Sequence, residues 1–203
     1  MSIFQTKPVR YLITRGDLTE NNFSVEKLIT LGVIRAAAKV GIELVQIREK
    51  NLEASSLYEL TREAAEVTKG TDTRLLVNDR FDIALSAEAD GVHLTSRSIP
   101  AKEVRRIVSK SFLIGVSTHS RREVLDVKDS GADFALFGSV FATPGKGDPA
   151  GLDQLAEICG MAAPFPVIAV GGIDGSNLES IHAAGASGYA AIRYLNEFVS
   201  IGE

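Results

Sequence analysis

The sequence contains one cysteine, no tryptophan and two methionines in 203 residues. A lone cysteine excludes an intramolecular disulfide, and Cys159 falls in a helical pattern where it reads as a small core residue. A reducing cytoplasm is the expected location. Without tryptophan, no aromatic platform for single-stranded nucleic acid stands out. Positive charge is also short: 22 Lys and Arg face 26 Asp and Glu, for a net charge of -4. No basic footprint for nucleic acid is present, so any anionic ligand must be met by local cations. No apolar run reaches membrane-spanning length, and the first seven residues lack the apolar stretch of a signal peptide. No membrane association is expected.

What is present is a rhythm. Short apolar runs alternate with longer helical patterns eight times, from Val9 to Val199. Val25 to Val40 reads as the first helix, with Leu28, Leu31 and Ile34 assigned to its core face, and Gly41 suits its end. Glu43 to Arg48 reads as the second strand, and Ile99 to Val108 as the fourth helix, with Pro100 in its first turn. Eight strand–helix units with no composition break point to an α/β fold, a compact (β/α)8 TIM barrel. The rival, an open doubly wound sheet, normally carries fewer parallel strands. No linker interrupts the pattern, so residues 1–203 are expected to form a single domain.

Barrels of this kind place their chemistry at the C-terminal ends of the strands. That rule selects residues directly. The second strand ends in Gln46-Ile-Arg48-Glu-Lys50, and period-two alternation puts Gln46, Arg48 and Lys50 on one side. A cationic pair facing a barrel mouth calls for an anion; the plainer alternative is a set of surface salt bridges. The third strand ends in Asn78-Asp79-Arg80, where Asp79 could hold a metal, orient Arg80 or cap a helix. The fifth ends in Ser117-Thr-His119-Ser120, whose hydroxyls suit helix capping as well as catalysis, and His119 could transfer protons. His93 reads as a satisfied interior histidine.

The most chemistry is concentrated between Phe137 and Gly151. Glycines and prolines there surround Lys146, a point charge suited to phosphate, with Thr143 supplying a hydroxyl. The stretch is long for a strand-to-helix turn, as binding loops often are, although an incidental lysine on a mobile loop would look similar. The seventh strand ends in Val170-Gly171-Gly172 and the eighth in Ile192-Arg193. Loops after strands seven and eight frequently bind phosphate, so Gly171 and Gly172 are candidate backbone donors and Arg193 a candidate charge.

Taken together these stretches resemble the thiamine phosphate synthase and thiazole tautomerase family. The resemblance is carried by Tyr11-Leu-Ile-Thr14, Val45-Gln-Ile-Arg-Glu-Lys50, Val77-Asn-Asp-Arg80, Ala89-Asp-Gly-Val-His-Leu94, Ile114-Gly-Val-Ser-Thr-His119, the segment from Gly131 to Gly151, and Pro166-Val-Ile-Ala-Val-Gly-Gly-Ile173. It implies a (β/α)8 barrel that joins a pyrimidine methyl pyrophosphate to a thiazole phosphate, releasing pyrophosphate with the help of magnesium. By position it implies pyrophosphate contacts for Gln46, Arg48 and Lys50, a pyrimidine contact for Asn78, and magnesium on Asp79. Ser117 would lie near the reacting methylene, Thr143 and Lys146 would close over the pyrophosphate, and Gly171 and Gly172 would bind the thiazole phosphate; Ile192 and Arg193, at the end of the eighth strand, are further substrate-binding candidates. A homodimer is a further expectation.

The chain departs from the synthase pattern at three points. Ser98 stands where a second magnesium-binding aspartate is expected, Gly145 where a hydroxyl precedes the lysine, and Arg193 where a small hydroxyl residue ends the eighth strand. It departs from the tautomerase pattern too, because Ser139 stands in place of an acid/base histidine, which would leave His119 to substitute. The synthase reading leads, with the tautomerase, or a non-catalytic barrel binding a phosphorylated heterocycle, as alternatives.

Overall fold

A computed structural model describes Phe4 and residues 8–201. Eight parallel strands follow one another in chain order and close into a barrel: β1 (Val9–Ile13), β2 (Leu44–Ile47), β3 (Arg74–Asn78), β4 (Gly91–Leu94), β5 (Leu113–Thr118), β6 (Phe134–Phe137), β7 (Val167–Val170) and β8 (Gly188–Ala191). The helices between and after them are α1 (Phe23–Lys39), α2 (Ala54–Thr68), α3 (Phe81–Ser86), α4 (Ala101–Arg105), α5 (Arg121–Lys128), α6 (Gly151–Ala162), α7 (Leu178–Ala183) and α8 (Arg193–Ile201). The expected (β/α)8 barrel is therefore the observed fold. By their internal contacts the described residues resolve into two compact units, residues 11–93 with 192–201, and Phe4 and residues 8–10 with 94–191.

The strands form where the sequence is continuously apolar. Every residue of β2, β4 and β6 is buried, as parallel strands covered on both faces require. In the first unit, β2 pairs with β3 so that Gln46 lies beside Leu76, and β3 pairs with β4 so that Asn78 lies beside His93. In the second, β5, β6 and β7 pair in sequence, with Ser117 opposite Leu136 and Phe137 opposite Ala169. A core there gathers Phe137, Val140, Leu155, Ile158 and Ile181.

Three expectations need correction. Leu28 does not face the core; it is 66% exposed, while Leu31, Ile34 and Ala37 are buried. Steps of three drift by about 60° each on a 3.6-residue helix, so Leu28 and Ile34 do not share a face. The fourth helix is shorter than expected, because Pro100 is its N-cap in an extended conformation and the helix ends at Arg105. The Arg105 guanidinium instead bonds the carbonyls of Ser109, Phe112 and Gly131 and the carboxylate of Asp133, which stitches the turn into β5. Finally, β2 stops at Ile47, so Arg48 and Lys50 lie beyond the strand and strict alternation no longer governs them.

Candidate active site

In the first unit, the candidate residues are set by the ends of β2 and β3. Gln46 is 1% exposed within an otherwise apolar strand. Its Nε2 donates to Asn78 Oδ1 over 3.1 Å, so register alone brings two candidates together. Its Oε1 is buried and has no hydrogen-bond partner among the described residues. A buried acceptor left unpaired costs about 1–3 kcal/mol, so this atom marks a place where a ligand donor would be welcome.

Arg48 follows at once. Its backbone N–H donates to Thr14 Oγ1 at 2.9 Å, which ties the chain after β2 to the end of β1. Lys50 lies in an exposed turn. Between them Glu49 is 3% exposed, and its two carboxylate oxygens accept from the backbone N–H groups of Gly16 and Leu18 at 3.1 and 3.0 Å.

At the end of β3, Asp79 adopts a left-handed backbone with φ 66, and its N–H donates to His93 O at 2.8 Å. Such a conformation is uncommon outside glycine, and aspartate is among the residues that tolerate it. It turns the chain sharply where β3 ends. Asp79 does not orient Arg80: the Arg80 guanidinium forks onto both oxygens of Asp82, at 2.9 and 2.6 Å. That pairing holds the Asp82 carboxyl below its ordinary range and raises Arg80.

Below these residues, His93 is 2% exposed and its Nδ1 lies 3.2 Å from the Tyr11 hydroxyl. Burial, with the positive charge of Arg48 added, pushes its pKa down to about 3. Burial likewise raises the Tyr11 phenol well above its ordinary value. Both stay neutral at physiological pH, so His93 is the satisfied interior histidine that the sequence suggests. At the other end of this unit, Ile192 and Arg193 are exposed where β8 gives way to α8. Buried Asn196, on α8, donates to Ile13 O at 2.9 Å and so fastens that helix to β1.

In the second unit, Ser117 lies near the end of β5 and is half-buried. Ser120 caps α5 by accepting from Glu123 N at 3.3 Å, and Glu123 Oε2 accepts from His119 N at 2.7 Å. The serine caps the helix, and the glutamate reaches back one residue past the cap, a variant of the capping box. His119 Nδ1 lies 2.6 Å from Gly138 O. A carbonyl only accepts, so Nδ1 carries the hydrogen and Nε2 is left as the basic nitrogen.

The loop after β6 is anchored at its base and open at its tip. Val140 N donates to Val170 O, Phe141 N to Gly171 O, Ala150 N to Ser139 O and Gly151 N to Val140 O. Beyond these, Thr143 Oγ1 donates to Phe141 O and Lys146 N to Thr143 O. Lys146 itself is exposed and forms no ion pair with the described residues. Gly171 and Gly172 have φ of 99 and 65, and a Cβ on either would lie 2.6 Å from the loop base, against Ser139 Cα or Ala142 O. These glycines therefore allow two loops to touch, an explanation that stands beside their expected role as backbone donors.

Ser98, in the place of an expected aspartate, is occupied with its own turn. Its Oγ accepts from Thr95 N at 2.7 Å and lies 3.1 Å from Thr95 Oγ1. The described residues hold no group of three or more His, Cys, Asp or Glu that could hold a metal. A metal at Asp79 would therefore take most of its ligands from substrate and water, which is how magnesium commonly binds.

A closed parallel barrel of eight strands, each followed by a helix, has the architecture of the (β/α)8-barrel enzymes, which carry their chemistry at the C-terminal ends of the strands. A family model for thiamine monophosphate synthase matches residues 11–195. A putative thiamine-phosphate synthase of Geobacter sulfurreducens is 45% identical over 165 residues, covering 80% of this chain and 77% of that protein. The thiamine-phosphate synthase of Moorella thermoacetica is 39% identical over 166 residues, with 80% and 79% covered. Among solved structures, a thiamine phosphate pyrophosphorylase from Pyrococcus furiosus superposes with a TM-score of 0.77 at 29% identity, over 94% of this chain and 91% of that one. The chain belongs to the thiamine monophosphate synthase family.

Proposed function

We propose that this chain is a transferase of thiamine biosynthesis that couples a pyrimidine methyl pyrophosphate to a thiazole phosphate and releases pyrophosphate. Family membership supports the reaction. The observation that carries it to particular residues is the Gln46–Asn78 pair, with the unpartnered Gln46 Oε1 beside it. The free atom is an acceptor, which suits a pyrimidine N–H rather than a phosphate oxygen, so in this reading Gln46 joins Asn78 on the pyrimidine side instead of the pyrophosphate side. Arg48 and Lys50 neutralise the pyrophosphate as the C–O bond to the methylene breaks, and Lys146, with Thr143, closes over the leaving group. Ser117 sits near the reacting carbon and His119 Nε2 is available to hold a proton. Gly171, Gly172, Ile192 and Arg193 take the thiazole phosphate.

Magnesium belongs to this reading as a passenger of the substrate. Asp79 would hold it together with pyrophosphate oxygens, and it would supply positive charge to the departing group. The tautomerase reading is not favoured, because Ser139 offers no imidazole where that branch has one. Phosphorylated substrates place the reaction in the cytoplasm. A second copy of the chain also belongs here, for α1 exposes Val25, Leu28 and Ile29 at 65, 66 and 56%. Sedimentation of the wild type beside Ile29→Lys tests that association, which a monomeric wild type refutes.

The function is tested by incubating the purified protein with both substrates, with and without magnesium, and following thiamine phosphate and pyrophosphate. Equimolar appearance of the two products is expected, and it should depend on magnesium. Neither product forming at any magnesium concentration would overturn the reading.

A further inference from the structure

Glu49 sits between the two cations of the β2 end, yet it points away from solvent and is 3% exposed. A buried carboxylate is costly unless hydrogen-bonded. Here both oxygens are used, Oε1 by Gly16 N–H and Oε2 by Leu18 N–H. Leu18 is itself buried, at 2% exposure, so the carboxylate staples the β1–α1 loop to a fixed point. The consequence lies at Gly16. Its φ of 83 brings its Cα so close to the next strand's end that a Cβ there would meet Arg48 O at 3.3 Å and Arg48 Nη1 at 3.7 Å. One guanidinium nitrogen of Arg48 therefore lies beside Gly16, on the backbone that Glu49 holds. Thr14 Oγ1, accepting from Arg48 N, holds the arginine from its other end.

We propose that Glu49 is a positioning residue for Arg48: by fastening Gly16 and Leu18 it builds the surface along which the guanidinium lies, and so fixes the cation that meets the pyrophosphate. The inference rests on the reading of Arg48 as that cation. Glutamine cannot replace the carboxylate, because it presents an N–H₂ where one of the two backbone donors needs an acceptor. Glu49→Gln should therefore release one amide and free the loop, while the strand ends that serve the thiazole phosphate stay as they are.

The experiment is a double-mutant cycle read by calorimetric titration of inorganic pyrophosphate and by steady-state kinetics. Glu49→Gln alone is expected to weaken pyrophosphate binding by about tenfold, as for residues sharing one network, and to raise KM for the pyrimidine substrate but not for the thiazole phosphate. In an Arg48→Ala background the same substitution should add less than about twofold, since the group it positions has gone. Gly16→Ala, which disturbs the same surface from the backbone side and keeps the glutamate in the chain, should reproduce the selective loss and the same non-additivity. It also serves should Glu49→Gln not fold. Additive losses, or an equal rise in both KM values, would overturn the proposal, because a merely structural glutamate would produce them. A wild type that binds pyrophosphate with the expected coupling but forms no thiamine phosphate would refute the synthase reading and leave the positioning role standing. Failure of the wild type to bind pyrophosphate would overturn both.

Discussion

Gln46 Nε2 donates to Asn78 Oδ1 over 3.1 Å, and Gln46 Oε1 is buried with no partner among the described residues. An amide placed in the middle of an all-buried strand and left half-satisfied has no explanation in stability. Replacing it by an apolar residue of similar size should leave the fold intact. Gln46→Leu is expected to change unfolding free energy by no more than about 1 kcal/mol, since one modest hydrogen bond and one unmet acceptor disappear together. KM for the pyrimidine substrate should rise about three- to tenfold, the worth of a single neutral hydrogen bond. Denaturant titration and initial-rate kinetics check the two halves. An unchanged KM would make Gln46 a structural residue only.

The metal prediction follows from Asp79 and Ser98. The Ser98 hydroxyl is engaged by Thr95 and offers no carboxylate, so in the proposed reaction Asp79 is left to meet magnesium. Titration of magnesium into the free protein should show weak binding, and pyrophosphate should strengthen it. Asp79→Asn keeps a residue that tolerates the left-handed backbone, so stability should hold while the magnesium requirement for turnover rises. Tight magnesium binding without pyrophosphate would contradict this arrangement.

His93 sets an acid limit on stability. Its folded pKa of about 3 lies below the ordinary value of 6.5, so between those values the unfolded chain binds the extra proton. The contribution is fully present above pH 6.5 and is lost as pH falls toward 3. By pH 5 the loss from this one group should approach about 2 kcal/mol. Unfolding free energies of the wild type and His93→Asn between pH 7 and pH 4 measure it. The wild-type curve should fall more steeply, and parallel curves would show that His93 is charged in the folded protein.

The fold and the positions of the candidate residues were legible because apolar runs mark the strands. Asn78, Ser117, Gly171 and Arg193 all lie at strand ends that apolar runs announce. Glu49 was not legible: alternation assigned it to the side away from Arg48 and said nothing of Gly16, which is distant in sequence and reached only through the β1–β2 pairing. The Arg80–Asp82 fork escaped for a related reason, since adjacent charges look alike until the backbone turns. Leu28 misled because a three-residue step resembles a helical face over two turns and leaves it over three.

Lys146 carries the last prediction. The loop base is held by backbone hydrogen bonds from Val140 and Phe141 to the end of β7 and from Ala150 and Gly151 back to Ser139 and Val140, while the tip from Pro144 to Pro149 is exposed. Gly145 and Gly147 on either side of the lysine let the tip move, and the prolines confine where it bends. With no carboxylate of the described residues holding it, the ammonium is available to a bound anion, and its charge would favour closure. Lys146→Ala should weaken pyrophosphate binding by about 1.5–3 kcal/mol, the range for a hydrogen bond to a charged group. The melting temperature without ligand should not move, because an exposed loop lysine supports no core. Titration of pyrophosphate into both proteins, paired with thermal unfolding of each, reads the two quantities independently. Equal affinities would make Lys146 a bystander, and a lowered melting temperature would show that the lysine braces the loop rather than the ligand.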